Sequence, residues 1–302
     1  MDGANAIVGI VGGEDIEEMV REAVSILGGM KKIDVKGKSV LVKPNVVTGD
    51  PSPTTTNPEV VNAVVRLLYE EGAKEVIVGD MSALMSLTTE KNMRKTGLTK
   101  AAQNAGAEVV YFEDYKWYEV KLSDTKYIQN VYVSEWIYKV DRIINLPVIK
   151  THKYATYSIC LKNFIGATHL KQRPYIVDNN HWEEVVSEIN QAYVPHLNII
   201  DGTTSMIEGG PRKGTAARTN IILASGDRIA ADVVGLGIIK SFGKWPRVAN
   251  EDVWEQKQIK KALELGLGVG LGQIMLRDKA LKGHNKDFGD IVNKVKKHIK
   301  TV

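Results

Sequence analysis

The chain has 302 residues, 43% apolar and 25% charged, an ordinary globular make-up long enough to bury one large core or two smaller ones. Cys160 is its single cysteine, which excludes an intrachain disulfide, a Cys-ligated iron–sulfur cluster and a Cys-rich zinc site within one chain. The net charge of +4 is local: Lys282, Lys286, Lys294, Lys296, Lys297 and Lys300 stand against Asp287 and Asp290 in the last residues, and the rest of the chain is close to neutral.

The N-terminal "MDGANAIVGIVGG" lacks the basic-then-apolar layout of a signal peptide, and no apolar run reaches the length of a membrane span. A cytoplasmic location is therefore expected, with no membrane partner. The basic C-terminal helix, 286–300, reads as a solvated face. It carries no interleaved aromatic residues, so no nucleic-acid partner is expected either.

Strand and helix patterns alternate along the chain. "AIVGIVG" is a β-branched strand, and "EDIEEMVREAVSILGGM" has apolar residues at helical spacing. "KSVLVKPNVV" is a strand, "NPEVVNAVVRLLYEEGA" a helix and "KEVIVGD" a strand; "KNMRKTGLTKAAQNAGA" and "EVVYFED" repeat the unit. Such spacing predicts βαβ crossovers and a mostly parallel, doubly wound α/β sheet. In the middle, "YEVKLS", "NVYVSEWIYKV" and "DRIINLPVI" follow without intervening helices, predicting additional antiparallel strands. The chain reads as a single unit over 1–302, with lobes 1–115 and 116–302 as the alternative. Later come helix "HWEEVVSEINQAY", strands "LNIIDG" and "NIILASG", and helix "RIAADVVGLGIIKSFG". "GLGVGLG", 266–272, lacks the G-x-G-x-x-G spacing and follows a helix, so it reads as a turn rather than a dinucleotide site.

Open parallel sheets bind ligands beyond the carboxyl ends of their strands. Collected there are Lys43-Pro44-Asn45, Gly79-Asp80, Lys150-Thr151-His152, Asp201-Gly202-Thr203 and Ser225-Gly226-Asp227. One polar strand end is an ordinary turn. Five in series predict a shared cleft. "NLPVIKTHKYATYSICLKNFIGATH", 145–169, adds Lys162, Asn163 and His169 just after a buried strand over Ile143–Ile149. Thr56 or Asn57 with Pro58 reads as a helix start, and the hydroxyls before it, Thr55 among them, are candidate donors to an anion. In "IEGGPRKG", Gly209 and Gly210 suit a backbone nest or simply a tight loop, while Arg212 and Lys213 add positive charge.

"VLVKPNVV…TTTNPEVVNAVVRLLYEEGAKEVIVGD", "INLPVIKTHKYATYSICLKNFIGA", "IIDGTTSMIEGGPRKGTAARTNIILASGDRIAADVVG" and "IKKALELGLG" resemble, in order, the blocks of the domain of unknown function 362 family. Carried over position by position, the resemblance falls on Lys43, Asn45, Thr55, Asp80, Lys150, His152, Lys162, Asn163, Asp201, Glu208, Gly210, Asp227 and Asp232. Many members of that family carry ferredoxin-like Cys clusters in an added domain; a chain with Cys160 alone is expected to hold none.

The resulting expectation is an enzyme acting on a small carboxylated or phosphorylated metabolite. Lys43, Arg212 and Lys213 would fix the anion, with Asn45, Thr55, Asn163, Gly209 and Gly210 around it. His152 would act as general acid/base, and Lys150 or Lys162 as charge stabiliser or nucleophile. Asp80, Asp201, Glu208, Asp227 and Asp232 would orient these groups, or hold a divalent cation such as Mg²⁺. Asp232, inside an apolar helix pattern, needs a partner if buried, with Lys150 or Lys162 as candidates. The alternatives are a metal-dependent isomerase resembling the nickel-pincer lactate racemase family, using Lys150, His152 and His169, and a non-catalytic anion sensor or assembly factor. Further copies of this chain are the other partner left open.

Overall fold

The computed structural model describes residues 5–173 and 180–300. In chain order its strands are β1 (Ala6–Gly12), β2 (Ser39–Pro44), β3 (Glu75–Asp80), β4 (Glu108–Tyr111), β5 (Trp117–Lys121), β6 (Asn130–Ser134), β7 (Arg142–Leu146), β8 (Val148–His152), β9 (Thr156–Ser158), β10 (Leu197–Gly209), β11 (Gly214–Ala217), β12 (Ile221–Ser225) and β13 (Ile274–Ala280). The helices are α1 (Ile16–Ile26), α2 (Pro58–Glu70), α3 (Thr89–Thr96), α4 (Leu98–Asn104), α5 (Trp136–Lys139), α6 (Cys160–Asn163), α7 (Trp182–Ile189), α8 (Arg228–Ser241), α9 (Pro246–Ala249), α10 (Lys257–Glu264) and α11 (Phe288–Ile299).

The main sheet runs β13-β1-β12-β10-β7-β2-β3-β4. β10, β7, β2, β3 and β4 are mutually parallel, as the alternating pattern predicts. β12 lies antiparallel between β1 and β10, and β13 pairs parallel with β1 as an edge. Strands from both sides of residue 115 thus share one sheet. The middle of the chain supplies the expected antiparallel additions: β5 pairs with β6 in a separate two-stranded sheet, and β9 pairs with β8.

Both faces of the sheet are covered. α1 and α2 bury Met19, Val20, Val24, Val60, Val64 and Leu68 against Val40, Val42, Val76 and Val78. On the other face, α8 and α11 pack around Val8, Ile10, Ile200 and Leu223. α8 is buried on all sides, which fits its nearly continuous apolar sequence. α11 buries Phe288, Ile291, Val292, Val295 and Ile299, leaving lysines to solvent as its composition implies. Helix starts follow local chemistry: the side chains of Asp15, Asn57 and Asp227 accept backbone N–H groups of Glu18, Glu59 and Ala230.

Three local expectations need correction. The strand expected over Ile143–Ile149 breaks at Pro147, whose missing N–H interrupts the ladder; β7 stays beside β2 while β8 moves over to β10 and β9. The segment read as one helix before β4 is two, α3 and α4, divided at Gly97 with φ +84°. β13, mostly exposed and polar, carries too weak an apolar pattern to be anticipated.

Candidate active site

A cleft of about 630 Å³ opens beyond the carboxyl ends of β2, β3 and β8. Asn45, Asp80, Lys150, His152, Lys162 and Asn163 line it, together with Arg212. These residues come from distant stretches of the chain, brought together because β2 and β3 are parallel neighbours and β8 folds across from β7. The opposite wall is apolar, formed by Val46, Val47, Met81, Leu84, Met85, Ile165 and Trp182.

The floor is a buried ion pair. Lys43 Nζ stands 2.7 Å from Asp80 Oδ1, with both side chains almost fully buried (0% and 2% exposed). Lys43 also donates to the carbonyl of Asn163 at 2.7 Å, and Asp80 Oδ2 accepts the N–H of Val46 at 2.8 Å. Burial pushes the Lys43 ammonium below the usual lysine range, and Asp80 opposes that shift. Gly166 closes over the pair: a Cβ there would meet Asp80 Oδ1 at 2.0 Å and Lys43 Nζ at 2.7 Å. The glycine of the Lys-Asn-x-x-Gly turn is therefore required by the ion pair beneath it.

A run of buried amides extends from this floor across the sheet. Asn45 Nδ2 donates to Asn163 Oδ1 (3.1 Å), Asn163 Nδ2 to Asn145 Oδ1 (2.8 Å), and Asn145 Nδ2 to Asn198 Oδ1 (3.0 Å). Each amide satisfies the next, so polar groups are held in the core without an orphaned partner. Lys150 is fastened to the same network, donating to Asn45 Oδ1 and to the carbonyl of Thr54. Its pKa lies well below the lysine range, first through burial and then through repulsion from Lys162.

Lys162 differs from the other two lysines. α6 projects it into the cleft with its Nζ 5.3 Å from the centre of the Trp182 ring, and no hydrogen-bond acceptor holds it among the described residues. Burial and the charge of Arg173 bring its pKa down to about 7. α6 is itself pinned by Asp232 of α8, whose carboxylate accepts the N–H groups of Cys160 (2.6 Å) and Leu161 (3.2 Å). Burial raises Asp232 to about 7, although those N–H groups favour its charged form. The partner expected among the lysines is thus replaced by backbone donors: Asp232 lies behind α6 and positions the segment that carries Lys162.

His152 is 4% exposed, and its Nδ1 accepts the N–H groups of Tyr154 (3.1 Å) and Ala155 (3.0 Å). These bonds place the ring proton on Nε2. Burial, Lys162, Lys150 and Arg247 all hold its pKa well below 6.5, so the imidazole is neutral. The group it has left to offer is an Nε2–H donor.

Other anticipated residues lie elsewhere. Asp227 sits at the opposite end of the sheet, because β12 is antiparallel; there it caps α8 and accepts the N–H of Val269. Asp201 holds the loop before α2 by accepting the N–H of Asn57 (2.7 Å) and both donors of Thr203. Thr55 donates to the Thr48 carbonyl, and Thr54 and Thr56 likewise donate to carbonyls of Arg212 and Leu146. Their hydroxyls fasten loops. Glu208 is exposed and accepts from Thr215 across the β10–β11 hairpin. Gly209 and Gly210 have φ +81° and +79°, and Gly210 packs where a Cβ would stand 2.1 Å from the Thr151 carbonyl. The Gly210 N–H donates to Lys213, so this turn is a tight loop rather than an anion nest. Lys213 faces a separate groove with Pro51 and Ser52. His169 packs edge-on against Trp117 and Tyr132, away from the cleft.

Asp80, Asp201 and Asp227 do not converge, and the described residues contain no cluster of three His, Cys, Asp or Glu side chains suited to a metal ion. Among the described residues these three carboxylates form no cage for a divalent cation: Asp80 faces Lys43, Asp227 accepts backbone N–H groups, and Asp201 accepts backbone N–H groups and the Thr203 hydroxyl. Sequence reading also missed Arg173, Ser158, Tyr154 and Trp182, all lining the cleft. Arg173 is buried and donates to the carbonyls of Ser82 (2.5 Å), Met81, Gly166 and Thr168, tying the apolar wall to the floor. No short-range motif marks these residues. Only the return of a later segment against β3 could reveal them.

Among the described residues no helix is long and apolar enough to cross a membrane. One similar protein is the thylakoid-associated protein sll1697 of Synechocystis sp., 30% identical over 230 residues, which are 73% of this chain and 69% of that one. Two solved structures are similar at a lower level. A Thermotoga maritima protein is 18% identical with a TM-score of 0.42, the match covering 61% of this chain and 50% of that one. The lactate racemase apoprotein of Thermoanaerobacterium thermosaccharolyticum is 8% identical with a TM-score of 0.45, covering all of this chain and 87% of that one. The family model described as "Domain of unknown function (DUF362)" matches residues 40–237, a region that runs from within β2 into α8 and includes every cleft residue named above, and the chain belongs to that family.

Proposed function

We propose that the protein is an enzyme acting on a small anionic metabolite, carboxylated or phosphorylated, bound in the cleft beyond β2, β3 and β8. The observation that carries this reading is the charge balance of the lining. Among the described residues Lys150, Lys162, Arg173 and Arg212 line the cleft, while the lining carboxylate, Asp80, is already paired with Lys43, and Arg212 reaches only the exposed Asp50 at 3.8 Å. Cations removed from water without counter-charge are costly, and an entering anion supplies what the protein omits.

Within this reading Lys150, fixed by Asn45 and Thr54, and the Nε2–H of His152 are rigid donors to the anion, and Arg212 on its exposed loop closes over it. Lys162, with a pKa of about 7, exchanges a proton near neutrality and is the acid/base group. That role passes from His152 to Lys162 because burial and the neighbouring cations keep the imidazole neutral while two backbone donors occupy its Nδ1. A cytoplasmic location belongs to the same reading, which involves neither nucleic acid nor lipid.

The test is to incubate the purified chain with mixtures of carboxylated and phosphorylated metabolites, following binding and depletion by mass spectrometry. Lys150→Met and Lys162→Met are run beside the wild type, with melting temperature as the folding control. Loss of binding or turnover in both variants at unchanged melting temperature is expected. Equal binding by folded variants and wild type would remove the cleft from consideration. Binding without depletion of any ligand would favour the non-catalytic sensor.

A further inference from the structure

We propose that Lys162 is an amine nucleophile and that the anionic substrate carries an aldehyde or ketone carbonyl, with which Lys162 forms an imine. This rests on the anion-binding reading, narrows it to a chemical class and replaces the acid/base role of Lys162 by a nucleophilic one.

The argument begins with the contrast between the three lysines. Lys43 is held by Asp80 and the Asn163 carbonyl, and Lys150 by Asn45 and the Thr54 carbonyl. Both are donors fixed in place, with their protons committed to acceptors. Lys162 reaches the same cleft without an acceptor among the described residues, on a short helix fastened from behind by Asp232. Its Nζ lies over the Trp182 face, 5.3 Å from the ring centre and beside the apolar wall. Burial beside the cations Arg173 and Lys150, with no carboxylate paired to it among the described residues, favours the free amine over the attraction of the Trp182 face for the ammonium. The pKa of about 7 agrees, since roughly half of the side chain is then unprotonated at neutrality.

The step balances without a redox partner. The Nζ lone pair attacks the carbonyl carbon, the C–N bond forms, and the carbonyl oxygen takes a proton to give a carbinolamine. Loss of the second nitrogen proton and departure of the hydroxyl as water leave the imine. Lys150 and the His152 Nε2–H hold the carboxylate or phosphate of the substrate, so the carbonyl rather than the anionic group is presented to Lys162.

Pyridoxal phosphate, an anionic aldehyde, serves as the probe, and pyridoxine phosphate, its counterpart without the aldehyde, as the control. The full chain is incubated with pyridoxal phosphate at neutral pH, reduced with borohydride and mapped by peptide mass spectrometry. Binding of pyridoxine phosphate is measured separately by calorimetry. The expected result is a reduced adduct at Lys162 formed at least ~10-fold faster than at any exposed lysine, and suppressed by pyridoxine phosphate. Adducts scattered over surface lysines, with Lys162 unmodified while pyridoxine phosphate still binds, overturn the imine and leave the anion reading intact. Failure of both compounds to bind or react in the cleft overturns the two together.

Discussion

Asp80→Asn isolates what the buried ion pair contributes. The substitution keeps the shape and an acceptor for the Val46 N–H, and replaces the charged oxygen facing Lys43 by an uncharged amide NH2. At 2.7 Å the pair attracts by ~6 kcal/mol at an effective dielectric of about 20. Part of that is recovered in the variant, because Lys43 already has a lowered pKa and can shed its proton when the partner is lost. The net loss should fall at about 3–5 kcal/mol, the range for breaking a buried pair from one side. At about 2.1 cal/mol/K of unfolding entropy per residue, a chain of this size would then melt roughly 5–8 °C lower. Urea denaturation followed by circular dichroism measures it, with Lys43→Met and the double variant Lys43→Met/Asp80→Asn completing a cycle. The double variant should recover much of the loss, since it leaves no charge in the core. A loss under about 1 kcal/mol, the level of an exposed pair, would refute the reasoning, as would a double variant no more stable than Asp80→Asn.

Gly166→Ala should destabilise the fold by about 1–3 kcal/mol, because its Cβ lands on the Asp80 carboxylate; denaturation midpoints read this, and a neutral effect would show that the floor is loose. Anion binding should take up protons near neutrality, since an anion favours the charged form of Lys162 (pKa about 7). Calorimetry of phosphate binding in buffers of different ionisation enthalpy detects the uptake, and affinity should fall as pH rises through 7 in the wild type but not in Lys162→Met. Asp232 has its folded pKa raised to about 7 from 3.8, so its contribution is fully present below the unfolded value and is lost as pH rises through 7. The stability of Asp232→Asn should therefore fall less steeply between about pH 4 and pH 7 than that of the wild type, and parallel curves would contradict the assignment. Asn163→Ala breaks the amide run at its centre and leaves donors and acceptors of Asn45 and Asn145 unmet, for a loss of about 1–3 kcal/mol in the same denaturation assay.

Alternation of apolar runs and helical spacing determined the α/β class and the parallel block, because period and length are local properties of the chain. So was the helix start at Asn57 with Pro58, and, from Cys160 alone, the lack of four thiolates within one chain. Lys43, Asn45, Asp80, Lys150 and His152 do lie at one end of the sheet, Lys43 beneath the cleft and the other four lining it, since β2, β3 and β8 run in a common direction. The strand-end rule failed for Asp227 because strand direction depends on the partner strand: β12 is antiparallel to β10, which sends its carboxyl end to the far side of the sheet. Only tertiary structure decided that Arg173 and Trp182 meet the cleft, that Asp232 holds α6 rather than a lysine, and that His152 is a neutral donor. Composition marks a group as titratable. Its proton, its partner and its accessibility follow from burial and from neighbours distant in sequence, as the contrast between the fastened Lys43 and Lys150 and the unfastened Lys162 makes plain.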